Sequence, residues 1–165
     1  VPDFMTDIKY KAARFLASGF YISYLPAALT GFKKFTGSGL FGTALGLLLV
    51  PLLPEGGLPF LLFLIIFFFF AVLVAGAAEA SYGVHDDPRI VIDEILGYWV
   101  AIAFLERTPF NLAAAFVFFR ALDTLKPWPI RKIDRAVSGG FGIIVDDILA
   151  AVAANLLVRA LALII

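Results

Sequence analysis

The chain has no cysteine, one histidine and one methionine, and charged residues make up only 16% of its 165 positions. Without cysteine there are no disulfides, no thiolate metal sites and no cysteine nucleophile. The lone histidine, His85, excludes paired-histidine chemistry and reads as a loop residue or structural donor before a ligand. Thirteen basic and thirteen acidic residues give a formal net charge of zero, which removes the electrostatic case for a nucleic-acid partner.

Apolar side chains are what the sequence has in quantity. Hydrophobic residues reach 62%, with 18 phenylalanines, and the mean hydropathy is +0.98. A soluble domain is roughly half apolar and about a quarter charged, so water is not this chain's only solvent. The length suits a single membrane-embedded domain, 1–165. The first residues carry Asp3, Asp7, Lys9, Lys11 and Arg14 and do not read as a cleaved signal.

A bilayer core takes about 20 apolar residues as a helix. Residues 58–78 meet this with no charge before Glu79. Residues 90–105, 110–122 and 141–165 read as further spans, and 40–53 as a shorter one interrupted by Gly42, Gly46 and Pro51. Residues 10–30 mix basic residues, aromatics and Pro26, which favours an interfacial helix. The expectation is an all-α, polytopic bundle of about four to five hydrophobic helices plus an N-terminal interfacial helix.

Threading these spans gathers the acids at one end. The side holding Lys33 and Lys34 also receives Glu79, Asp86, Asp87, Asp93, Glu94, Asp123, Asp134, Asp146 and Asp147. It collects Arg89, Arg120, Lys126, Arg131, Lys132 and Arg135 as well, whereas Glu55, Glu106, Arg107 and Arg159 fall on the far side. An excess of Lys and Arg marks the cytoplasmic face.

Asp93–Glu94 stands where a helix enters the membrane, and a helix-dipole pairing accounts for such acids in the simplest reading. Asp146–Asp147 repeats the pair about one and a half turns into an apolar helix, where carboxylates are costly unless paired, solvated or metal-bound. Adjacent residues on a helix point about 100° apart, so one acid can ligate while the other orients a ligand or water. An all-carboxylate set selects a hard cation, Mg²⁺ or alternatively Mn²⁺, ahead of Zn²⁺.

The segment Lys126-Pro-Trp-Pro-Ile-Arg131 cannot be ordinary helix, because its prolines lack a donor and disfavour α conformation before them. It reads equally as an interfacial turn anchored by Trp128 or as a rigid loop presenting Lys126, Arg131 and Arg135 to phosphate. Gly139 and Gly140, before the Asp146 helix, suit either anion approach at a helix start or close helix packing. No Walker loop, Asp-x-Asp-x-Thr nucleophile or CDP-alcohol phosphotransferase motif is present.

Three ordered motifs then stand together. They are His85-Asp-Asp-Pro-Arg-Ile-Val-Ile-Asp-Glu-Ile-Leu-Gly97, Lys126-Pro-Trp-Pro-Ile-Arg131 with Asp134–Arg135, and Gly139-Gly-Phe-Gly-Ile-Ile-Val-Asp-Asp-Ile-Leu-Ala150. The set resembles the phosphatidylglycerophosphatase A family, bacterial Mg²⁺-dependent membrane enzymes that convert phosphatidylglycerophosphate to phosphatidylglycerol and phosphate. Phe41 precedes Gly42–Thr43 where the family has a Pro-Gly-Thr turn.

The resemblance implies Asp93, Glu94, Asp146, Asp147 and Asp134 as catalytic candidates, and Asp87, Asp93, Glu94, Asp146 and Asp147 as metal ligands. It implies Lys126, Arg131, Arg135 and Asp123 for substrate. It further implies a lipid phosphatase of phospholipid biosynthesis in the bacterial inner membrane, facing the cytoplasm, with membrane lipids as surroundings. The expected chemistry is water attack on phosphorus, ahead of an aspartyl-phosphate route. A cation-binding transporter or a non-catalytic membrane protein is the alternative, and a transporter predicts acids deep in several spans and at both ends.

Overall fold

The computed structural model describes residues 4–30 and 37–164, apart from the side chains of Phe4, Thr30, Asp134, Arg135 and Ala136. Lys33 and Lys34 therefore lie outside the described residues. The architecture is all helical, as the sequence predicts. Its helices are α1 (Phe4–Ala17), α2 (Leu25–Thr30), α3 (Ser38–Leu48), α4 (Gly57–Tyr82), α5 (Ile92–Ala101), α6 (Pro109–Leu125), α7 (Ile130–Ala136) and α8 (Gly139–Ala162). Short 3-10 turns, Ile22–Tyr24 and Val50–Leu52, precede α2 and follow α3.

Two helices among the described residues, α4 and α8, are long and apolar enough to cross a membrane. At about 1.5 Å per residue they reach roughly 39 and 36 Å, against a hydrocarbon core of about 30 Å. Along α4, Leu58, Leu62, Ile66, Phe69 and Leu73 recur every three or four residues and stay exposed. The opposite face, with Phe60, Leu64, Ala71, Val74 and Ala78, is buried. A helix apolar all round fits lipid on its outer side.

The expected bundle of four to five spans is narrower by this measure. Residues 40–53 form the 11-residue α3 and the 3-10 turn after it. Residues 90–105 yield only the 10-residue α5, which unwinds after Ala101 with Phe104 at φ +57°. The reason lies on α8. Asn155 Nδ2 donates to the carbonyls of Ala101 (2.8 Å) and Ala103 (2.9 Å), and Arg159 Nη2 to those of Ala103 and Phe104 (both 3.1 Å). These side chains satisfy the carbonyls that a continued helix would have used. Residues 110–122 lie within α6, whose 17 residues reach about 25 Å.

The N-terminal segment is not a span. α1 ends at Ala17, Phe20 and Tyr21 turn the chain at positive φ, and α1 packs along α4. Arg14 ties it there by donating to the hydroxyl and carbonyl of Ser81.

α8 is the central element, packed on α4, α5, α6 and α7, while α3 lies against α5. Small residues allow the closest approach. A Cβ at Gly140 would collide with the Val72 carbonyl and the Gly76 amide of α4, so only glycine lets these backbones meet. Thr108 caps α6 by accepting from Asn111 N (3.2 Å), with Pro109 in the first turn. Lys126, at φ +40°, ends it.

Candidate active site

The fold brings the starts of α3, α5 and α8 and the end of α6 to one end of the bundle. There they enclose a cavity of about 300 Å³. Its described lining includes six acids, Asp86, Asp93, Glu94, Asp123, Asp146 and Asp147, but only two cations, Arg120 and Lys126. Such an excess of carboxylates in a confined space is stable only if protons or cations compensate it.

Asp93 and Glu94 come from the first turn of α5, and Asp147 from the third turn of α8. Carboxylate oxygens of these three residues lie within 4.8 Å of one another. Each residue also keeps a buried oxygen without a hydrogen-bond partner: Asp93 Oδ1, Glu94 Oε2 and Asp147 Oδ2. Buried polar atoms are rarely left so. Three converging carboxylates, each with an unpartnered oxygen, are protein donors that suit a hard divalent cation, with waters or substrate to complete its shell.

The two cations are held in place. Arg120 Nη1 lies 2.8 Å from Asp123 Oδ2 and 3.7 Å from Glu94 Oε1, and donates to Thr43 Oγ1 at 3.3 Å. Lys126 Nζ donates to Asp146 Oδ2 at 2.6 Å. α3 supplies a close wall, since a Cβ at Gly39 would strike the Glu94 carboxylate and the Arg120 guanidinium.

Comparison with known proteins gives this geometry a family. The profile of the family described as phosphatidylglycerophosphatase A matches residues 15–162, nearly the whole chain. The chain belongs to that family. It is 39% identical over 127 residues to phosphatidylglycerophosphatase A of Haemophilus influenzae, covering 76% of this chain and 77% of the relative. It is 52% identical over 71 residues to phosphatidylglycerophosphatase A of Escherichia coli, covering 42% and 41%. A Bacteroides thetaiotaomicron protein, provisionally named a phosphatidylinositol-3-phosphatase, is 30% identical over 149 residues, covering 82% and 92%. No solved structure matches.

For this phosphatidylglycerophosphatase A family member, the structure assembles some of the sequence candidates and separates others. Asp93, Glu94 and Asp147 converge, and Asp123, Asp146 and Lys126 line the same cavity. The adjacent acids of α8 part company: Asp147 joins the cluster and Asp146 holds Lys126.

Asp87 departs from its expected place among the metal ligands. Both its oxygens are taken by Arg89, from Nε and Nη2 at 2.7 Å each, and it is not brought to the cluster. Those hydrogen bonds hold its carboxyl below the ordinary carboxylate range. Arg131 also departs from expectation: it is exposed, and its guanidinium donates to the Leu125 carbonyl (3.1 Å) rather than lining the cavity. Asp134 and Arg135 have side chains outside the described residues. Trp128 is 81% exposed, in keeping with an anchor, while Lys126 of the same loop faces the site. Gly140 serves helix packing.

Arg120 is a site residue that the sequence motifs did not single out, whereas Gly39, in a glycine turn that the sequence left between anion approach and close packing, walls the site. A signal existed for the first, an arginine inside an apolar helix three residues before Asp123.

Proposed function

We propose that this chain is a multi-pass, Mg²⁺-dependent lipid phosphatase that hydrolyses phosphatidylglycerophosphate to phosphatidylglycerol and phosphate in phospholipid biosynthesis. The observation that carries this reading is the buried Asp93–Glu94–Asp147 cluster with one unpartnered oxygen on each residue. A phosphate monoester does not enter a cavity dominated by carboxylates without a compensating cation. Asp93, Glu94 and Asp147 would hold Mg²⁺, which when bound polarises a phosphoryl oxygen and lowers the pKa of a water.

The chain's own groups do the rest. Arg120, oriented by Asp123 and Thr43, and Lys126, oriented by Asp146, offer donors to the phosphoryl oxygens as charge spreads over them. A cluster carboxylate takes a proton from the attacking water as its oxygen bonds to phosphorus. The ester P–O bond opposite then breaks, the departing glycerol oxygen takes up a proton from solvent to leave as a hydroxyl, and the carboxylate returns its own proton to solvent.

The bundle lies in the bacterial inner membrane with this cavity toward the cytoplasm. Arg89, Lys126, Arg131 and Lys132 all lie at the cavity end. The far-end Arg107 and Arg159 are spent on backbone carbonyls. In this arrangement α3, α5 and α6 complete further passes together with the turns that flank them. Acids gathered at one end favour the enzyme over a transporter, which needs them along a path.

The test is phosphate release from phosphatidylglycerophosphate by the purified protein in mixed micelles, with Mg²⁺ or with EDTA. Turnover that appears with Mg²⁺ and vanishes with EDTA is expected. A purified, folded protein that releases no phosphate with Mg²⁺ would overturn the reading.

A further inference from the structure

A second cavity, of about 350 Å³, adjoins the acidic one, and its wall includes Ser23, Tyr24, Ser38, Asp87, Pro88 and Arg89. Ser38 and Pro88 belong to both linings, and the Ser38 hydroxyl donates to the Pro88 carbonyl, so one thin partition separates the two. Their chemistry differs sharply. In the second cavity the charges are already matched, because Asp87 accepts two side-chain hydrogen bonds from Arg89. The Arg89 guanidinium is also stacked 3.9 Å from the centroid of the Tyr82 ring. Such a cavity calls for neither a metal nor a strongly anionic guest.

It does hold an unmet hydrogen-bonding group. Ser23 is 5% exposed, and its Oγ is buried without a partner. Nearby, the Tyr24 hydroxyl lies 3.2 Å from that of Tyr82. A buried hydroxyl without a partner is costly, and a guest that supplies one recovers that loss. Ser23 lines the cavity, and rotation about its single side-chain bond would carry the hydroxyl to a guest there. The matching guest is a neutral group bearing hydroxyls, adjacent to a phosphate.

We propose that the second cavity binds the hydroxyl-bearing, non-reacting glycerol part of the lipid head group through Ser23, while the terminal phosphate occupies the acidic cavity. This rests on the phosphatase reading above. Ser23 thereby sets head-group preference and takes no part in the chemical step.

Calorimetric titration of the full-length protein in detergent with Mg²⁺ tests this without turnover. The two probes are glycerol 3-phosphate in its non-hydrolysable phosphonate form, able to reach both cavities, and inorganic phosphate, able to fill only the first. The wild type is expected to bind the phosphonate more tightly than phosphate. Ser23→Ala should weaken the phosphonate about 5- to 10-fold, as expected for one hydrogen bond, and leave phosphate unchanged. Tyr24→Phe, on the exposed part of the same wall, should shift the same ratio in the same direction.

Equal affinity of the wild type for both probes, or variants that leave the ratio unchanged, would overturn the proposal. Lipid phosphate release by the wild type, measured in parallel, reports separately on the enzyme reading. A protein that prefers the phosphonate but hydrolyses no lipid would sink that reading and leave the pocket assignment standing.

Discussion

Lys126 Nζ sits 2.6 Å from Asp146 Oδ2, joining the left-handed residue that caps the C-terminus of α6 to the second turn of α8. The carboxylate is 4% exposed and the lysine 24%. The pair therefore fixes a cation at the cavity and gives Asp146 a task different from that of Asp147. Removing one partner takes an opposite charge and a short hydrogen bond from a group held inside the bundle. Lys126→Met should destabilise the fold by about 3 kcal/mol, the lower end for a buried pair because the lysine is partly solvated. Unfolding in detergent checks this, and the double variant with Asp146→Asn should recover much of the loss. Strictly additive single effects would argue against a functional pair.

Asp147→Asn should lower Mg²⁺-dependent phosphate release by roughly 100-fold or more, because it removes one of three convergent oxygens. The wild type should melt at a higher temperature with Mg²⁺ than without, and the same variant should lose that shift. Asp146→Asn acts on Lys126 instead and should retain that Mg²⁺ shift. If Asp147→Asn keeps both activity and shift, the cluster is not the metal site.

Gly39→Ala introduces a methyl group where Glu94 and Arg120 now meet α3. Displacing these groups by even about 1 Å should reduce kcat by on the order of 100-fold. Circular dichroism should be unchanged, since α3 has no other reason to fail. Wild-type kcat in this variant would mean that the α3 wall is not tight in the working enzyme.

Gly140→Ala should act on stability instead. Its Cβ meets the backbone of α4, which has no flexible end to move aside, so the helices must separate. A loss of about 1–3 kcal/mol is expected, read from the unfolding midpoint. Gly83→Ala, in open space but at φ +69°, should cost less.

Arg89 hydrogen bonds hold the folded Asp87 carboxyl below its usual 3.8. The unfolded chain therefore takes up this proton first as pH falls. The stabilisation from Asp87 is complete above the unfolded value and is lost progressively as pH drops through that value toward the folded one. Melting temperatures recorded from pH 7 to pH 3 should fall on the acid side, and Asp87→Asn should flatten that limb. An identical acid limb in the variant would remove Asp87 as its cause.

How much of this was legible in the chain follows from what each feature depends on. Helix content, the span at α4 and the gathering of acids at one end rest on composition and on the order of apolar and polar segments, which hydropathy reads directly. The acid pairs of α5 and α8 stood out because carboxylates beside or within apolar helices need a reason. Distances across the bundle are another matter. The sequence offered Asp87, Asp146 and Asp147 alike as metal-ligand candidates. Only packing assigned Asp87 to Arg89, Asp146 to Lys126 and Asp147 to the cluster, because neighbours on a helix face different partners. Arg120 and Gly39 likewise became site residues only when α3 and α6 closed around α5. The shortness of α5 was hidden for the same reason, since the side chains that end it, Asn155 and Arg159, lie more than fifty residues away. Hydrophobic patterning by itself determined an apolar, all-helical chain with its acids toward one end, as burial is a property of each segment. Tertiary structure decided which carboxylates act together, as that depends on side-chain directions set by long-range contact.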